Sequence, residues 1–120
     1  MSPTILIIDD EQIIIRALSR AFQKEGFQVF TASDGQEGLQ KIQSQNPSLI
    51  LLDIIMPKLS GLELLEQIRH AHITTPVILM TAYSDAKTAA KAKELGVSAY
   101  LTKPFNNIDD VIALAKKTLS

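Results

Sequence analysis

The chain has no cysteine. A disulfide scaffold and a thiolate metal site are therefore excluded, and the composition fits a cytoplasmic protein. Blocks of like charge are also missing, and the formal net charge is only −1. Nothing in that balance calls for direct contact with nucleic acid or with an anionic membrane. No apolar run approaches the length of a membrane span, and the N-terminus lacks a signal-peptide pattern. Internal repeats and low-complexity tracts are absent as well. What is present is 120 residues, 46% of them apolar, enough for one domain, 1–120, with a single core.

The most informative stretch runs from Leu49 to Gly61. The turn residues Asn46-Pro47-Ser48 precede four apolar residues, Leu49-Ile50-Leu51-Leu52. Such a run reads as a short strand buried on both faces. Asp53 stands at its carboxyl end. Met56-Pro57 and Ser60-Gly61 then turn the chain toward a helix. In an open parallel sheet, ligands bind outside the carboxyl ends of the strands. A lone Asp there reads as a solvated loop residue, but Asp53 has company.

Thr4–Ile8 has the composition of a central strand and ends abruptly in Asp9-Asp10-Glu11. Helix capping accounts for one or two of these acids, not for a pair at the strand end itself. A helix is expected over 12–25, with Ile14, Ala17, Leu18, Ala21 and Phe22 as its core stripe and Gly26 ending it. Ile13 and Ile15 lie off that stripe and are expected on the surface, where an apolar pair beside the site suits docking of a partner's helix. The second strand, over 27–32, alternates more and belongs at an edge. Helices follow over 36–45 and 61–70, the latter facing inward through Leu62, Leu65 and Ile68. His70 and His72 lack the spacing of a metal pair and read as surface residues. The fourth strand, over 76–82, carries Thr81 near its end. An Ala- and Lys-rich helix over 85–95 has a thin apolar stripe and should be the most loosely packed element. The fifth strand, over 99–102, ends in Lys103-Pro104-Phe105. Asn106 or Asn107 caps the last helix, whose stripe is Ile108, Val111, Ile112, Ala115 and Leu119.

Strand and helix thus alternate five times. That pattern predicts an α/β fold of flavodoxin-like (βα)5 type, a three-layer sandwich around a parallel sheet ordered 2-1-3-4-5. Asp9, Asp10, Asp53, Thr81 and Lys103 then converge on one rim. Clustered carboxylates repel one another unless a cation joins them. Oxygen ligands alone suit a hard ion such as Mg²⁺, held by one or two carboxylates, waters and phosphate oxygens. Lys and Thr suit the remaining phosphoryl oxygens, and a carboxylate can itself accept the phosphoryl group.

These residues closely resemble the response regulator receiver domains of the CheY-like family, over nearly the whole chain. The matching motifs are Asp9-Asp10, Asp53-Ile54-Ile55-Met56-Pro57 with Gly61, Met80-Thr81-Ala82, Tyr100 and Lys103-Pro104-Phe105. The resemblance implies a two-component phosphoacceptor that catalyses only its own phosphorylation and dephosphorylation. Asp53 would take a phosphoryl group from a phosphohistidine of a sensor histidine kinase or a phosphotransfer protein. Asp10, Asp53 and the Ile55 carbonyl would ligate Mg²⁺, with Asp9 acting mainly through a metal-bound water. Lys103 would contact the phosphoryl group, Thr81 would move to bond it, and Tyr100 would turn inward. That would reshape the face of the fourth helix, fifth strand and fifth helix. The Lys103–Pro104 peptide would be cis. Ile55 and Tyr83 would flank the acyl phosphate, where their bulk would slow its hydrolysis.

Two other classes fit less well. A flavin mononucleotide binder of the same strand order needs a small-residue phosphate loop after the first strand, where this chain has acids. A phosphatase with an Asp nucleophile often carries a second acid two residues on, where this chain has Ile55. The sequence stops at the fifth helix, which leaves two readings open: a single-domain receiver that docks on a downstream protein, or a receiver from a longer regulator with an output domain. A phosphorylation-dependent homodimer is also left open.

Overall fold

A computed structural model describes residues 2–56, 58–82, 85–103, 105 and 107–120. Five strands, β1 (Thr4–Ile8), β2 (Gln28–Ala32), β3 (Leu49–Asp53), β4 (Val77–Thr81) and β5 (Ala99–Thr102), alternate with five helices. The helices are α1 (Gln12–Lys24), α2 (Gly35–Gln45), α3 (Gly61–His70), α4 (Ala86–Glu94) and α5 (Ile108–Leu119). The strands form one parallel sheet in the order β2-β1-β3-β4-β5, as the alternation predicts.

Each central strand is buried along both faces, because successive side chains point to opposite sides. Leu6, Ile8, Ile50, Leu52, Val77 and Leu79 face one layer, which Ile42, Leu64, Leu65, Ile68 and Ala92 complete from α2, α3 and α4. Ile5, Ile7, Leu49, Leu51, Ile78 and Met80 face the other, against Leu18, Phe22, Val111, Ile112 and Ala115 of α1 and α5. The two layers are nearly dry, and β1, β3 and β4 are locked between them.

The packing of α1 corrects the sequence reading. Ile15 is buried and belongs to the core, with Leu18 and Phe22; it is not part of a surface pair. Ile14 is only half-buried. Positions 15, 18 and 22 share one helix face, and Phe22 meets Phe27 edge-on, with ring centroids 4.9 Å apart. With that face inward, Ile13 points outward, at 80% exposure. In α3, Leu64 joins Leu65 and Ile68 in the core, while Leu62 is half-buried.

Caps fix where several helices begin. Asp34 accepts from the Glu37 N–H at 2.8 Å, Asp85 from Thr88 at 2.7 Å and Asn107 from Asp109 at 2.9 Å. Ser60 and Glu63 form a reciprocal capping box on α3. The thin stripe read from α4 is present: Ala92 is its one buried residue. The neighbouring β5 has no fully buried residue. The expectations for Pro57, Tyr83, the Lys103–Pro104 peptide and Asn106 lie outside the described residues.

Candidate phosphoacceptor site

The site forms where four strands end. Asp9 follows β1 and extends its pairing, its N–H donating to the Ala32 carbonyl at 3.1 Å. Asp53 closes β3, and the next residue's N–H reaches the Met80 carbonyl at 3.0 Å. Thr81 closes β4 and is fully buried. The Lys103 N–H donates to the Thr81 carbonyl at 2.7 Å, which ties the end of β5 to the end of β4. Backbone ladders therefore place Asp9, Asp53, Thr81 and Lys103 side by side. The turn after Asp53 is equally constrained. A Cβ on Gly61 would lie 2.2 Å from the Asp53 carbonyl oxygen, so only glycine lets α3 start this close to the strand end. Lys58, at φ 71°, holds the loop in a left-handed turn and pairs with Asp34 at 3.4 Å.

All four of these residues are buried. The Lys103 ammonium lies 2.6 Å from Asp9 Oδ2, 2.9 Å from Glu11 Oε1 and 3.5 Å from Asp53 Oδ2. The other Asp9 oxygen, Oδ1, accepts from the Glu11 N–H at 2.9 Å. Asp10 is exposed. Burial, and then the neighbouring Asp9 carboxylate, push the Asp53 carboxyl up to about 6, against the pull of Lys103 and of the Ile55 N–H. Burial works against the Lys103 charge, but its bonds to Asp9 and Glu11 and the nearby Asp53 carry its pKa above the ordinary lysine value.

A cavity of about 260 Å³ opens onto this group, lined by Asp10, Glu11, Asp53, Ile55, Ala82 and Lys103. A wider cleft of about 590 Å³ lies along α3, at Glu63, Glu66, Gln67, His70 and Ala71, away from the strand ends. The smaller cavity is the chemical one, because the buried carboxylates and the ammonium meet there. Asp9, Asp10 and Asp53 can each bring an oxygen within 4.8 Å of the others. Asp9, Glu11 and Asp53 face the Lys103 ammonium, and Asp10 lies beside two of them. An all-oxygen donor set with surplus negative charge fits a hard divalent cation.

The residues flagged in the sequence thus come together. Ile55 lines the cavity with its side chain 58% exposed. Tyr100 lies further along β5, packed against the α2–α3–α4 layer, with its hydroxyl buried and without a hydrogen-bond partner among the described residues. What sequence reasoning missed is the Glu11 contact with Lys103. The available signal was a Glu at the helix N-cap, where Ser, Thr, Asp or Asn is usual.

The fold and its site define a class: a CheY-like sheet with an acidic pocket and a lysine on its carboxyl rim. The model of the response regulator receiver domain matches residues 5–116, and the chain belongs to that family of signalling phosphoacceptors. Sporulation initiation phosphotransferase F of Bacillus subtilis is 37% identical over 119 residues, covering 99% of this chain and 95% of that protein. The alkaline phosphatase synthesis transcriptional regulatory protein PhoP, also of Bacillus subtilis, is 39% identical over 106 residues, 88% of this chain and 44% of that one. The chain spans less than half the length of PhoP and of several other curated relatives. A receiver domain structure from Methanospirillum hungatei JF-1 superposes with a TM-score of 0.94 at 31% identity, covering 99% of this chain and 94% of that one. No helix among the described residues is long and apolar enough to cross a membrane.

Proposed function

We propose that Asp53 is the phosphoacceptor of a two-component receiver, that its donor is a phosphohistidine on a sensor kinase or phosphotransfer protein, and that phosphorylation changes the α4–β5–α5 face. The observation that carries this reading is the placement of Asp53. It is a buried carboxylate at the end of β3, 3.5 Å from the Lys103 ammonium and within reach of Asp9 and Asp10, beside an open cavity.

Asp10, Asp53 and the Ile55 carbonyl are the groups to hold Mg²⁺, with Asp9 behind them because both of its oxygens already accept protein hydrogen bonds. Bound there, the ion would offset charge on the transferring group. In the transfer, an Asp53 oxygen forms the new bond to phosphorus as the bond to the imidazole nitrogen breaks. Lys103 supplies a fixed positive charge next to the incoming oxygens. Thr81, buried one strand away, supplies a hydroxyl that bonds the phosphoryl group once it moves. The exposed Ile13 and Ile55 flank this rim and suit contact with the donor protein.

Incubation with a small phosphodonor such as acetyl phosphate tests the reading. Intact mass should show one phosphoryl adduct in Mg²⁺, none after chelation and none in Asp53→Asn. An undiminished adduct in Asp53→Asn, or no adduct in wild type, overturns the reading.

A further inference from the structure

We propose that Glu11 is a releasable anchor: its carboxylate holds the Lys103 ammonium back from Asp53 until a phosphoryl group at Asp53 draws the lysine away. The proposal rests on the reading of Asp53 as phosphoacceptor. It adds a positioning residue that works through Lys103 without touching the transferred group.

The first observation is where the Glu11 side chain does not go. Glu11 is the N-cap residue of α1, with the extended backbone of a cap (φ −90°, ψ 108°), yet its side chain makes no capping bond. The first amides of α1 are left without that partner. The carboxylate instead reaches Lys103, 92 residues away, at 2.9 Å. The second observation is the order of the lysine's contacts. Asp9 and Glu11 lie within hydrogen-bond distance, while Asp53, at 3.5 Å, lies beyond a normal N–H···O bond. Two of the three N–H donors are committed to carboxylates other than the proposed acceptor.

Those two contacts differ in how easily they break. Asp9 is fully buried, so losing its partner would strand a charge away from water. The Glu11 side chain is 58% exposed, so water replaces the lysine at little cost. A phosphoryl group on Asp53 replaces the single carboxylate charge with up to two, and brings three strong acceptor oxygens next to the same ammonium. Glu11 is the contact that yields, and Lys103 swings on its Asp9 bond toward the new group.

Two substitutions separate an anchor from simple repulsion of an anionic ligand. Glu11→Ala removes both charge and contact. Glu11→Asp keeps the charge but shortens the side chain by one carbon–carbon bond, about 1.5 Å. The shorter carboxylate falls short of Lys103 and is well suited to cap α1.

The measurements are the affinity for beryllofluoride and the initial rate of phosphorylation by acetyl phosphate, both at saturating Mg²⁺. Nitrogen-15 NMR of the Lys103 ammonium in metal-free protein adds a reading independent of phosphorylation. The anchor predicts about a two- to fivefold gain in affinity and rate for both variants, the range that an exposed ion pair can set. It also predicts faster solvent exchange of the ammonium protons in both, and a higher melting temperature for Glu11→Asp. Gains in Glu11→Ala alone, with Glu11→Asp like wild type, would mean repulsion and overturn the anchor. Unchanged ammonium exchange in both variants would also overturn it. If wild type takes up neither beryllofluoride nor a phosphoryl group, the reading of Asp53 fails and the anchor falls with it. If wild type takes up both and the variants match it, the anchor alone fails.

Discussion

The two sides of the acidic site are built differently. On one side, β1 and β3 are sealed between both helix layers, and every residue of β3 from Leu49 to Asp53 is buried. On the other, β5 has only half-buried side chains and a solvent-exposed end, and α4 buries a single alanine. Among the described residues, Arg69 donates to the Leu95 carbonyl at 2.9 Å just past the end of α4, and Lys91 of α4 pairs with Glu66 at 3.7 Å. The carboxylates therefore stand on a rigid base, and the lysine and threonine stand next to an element with little to lose by moving. A signalling site needs both. Geometry at the acceptor has to be fixed before the reaction, and part of the structure has to respond afterwards at low cost.

The largest expected effect tests that contrast in stability. Leu52→Ala, in the rigid half, should cost about 2–5 kcal/mol. Ala92→Gly in α4 should cost about 1 kcal/mol. Urea unfolding of the two variants measures both, and equal losses would break the comparison.

Metal comes next. If Mg²⁺ relieves repulsion among Asp9, Asp10 and Asp53, it should stabilise the fold by about 2.7 kcal/mol at a hundredfold excess over its dissociation constant. Identical melting temperatures in chelator and in excess Mg²⁺ would show that the carboxylates hold no ion.

The same carboxylates set a pH dependence. The Asp53 carboxyl sits at about 6 in the folded chain against an ordinary 3.8, so its ionised form costs the fold stability. In metal-free buffer that cost is fully present above 6 and is relieved as pH falls through 6 toward 3.8. Asp53→Asn should therefore be more stable than wild type at neutral pH, by on the order of 2 kcal/mol. The gap should close by pH 4. A gap that is constant with pH, by chemical denaturation at several pH values, would place the cost elsewhere.

A smaller effect lies on the mobile side. Beryllofluoride should change hydrogen exchange in α4 and β5 by an amount equivalent to about 1 kcal/mol or more, the worth of a charge-assisted bond from Thr81. Exchange in β1 and β3 should stay near its global limit. Thr81→Ala should lose most of the α4 and β5 response; an equal response would remove Thr81 from the transmission. The smallest change is Tyr100→Phe. The buried hydroxyl has no partner among the described residues, so its removal should be neutral or stabilising by less than about 1 kcal/mol. A clear loss of stability would mean that the hydroxyl is bonded.

The sequence by itself determined the order of elements, the strand order, and the identity of the residues at the strand ends. Those are local properties: apolar runs of four or five residues, turn residues between them, and polar side chains placed where the runs stop. The packing weakness of α4 was legible for the same reason, since a helix built of Ala and Lys carries little apolar surface to bury. Only the tertiary structure decided how α1 is rolled. Ile13, Ile14 and Ile15 are chemically alike, and the third goes to the core with Leu18 and Phe22, on the face that packs against the sheet. It also decided which of two adjacent acids is buried. Asp9 lies inside, its N–H still paired with the Ala32 carbonyl of β2, and Asp10 outside, in the bend that follows. The choice of Lys103 partners was likewise beyond local pattern. Three carboxylates from two strand ends and a helix cap compete for one ammonium, and their order depends on distances of tenths of an ångström between segments 50 to 94 residues apart.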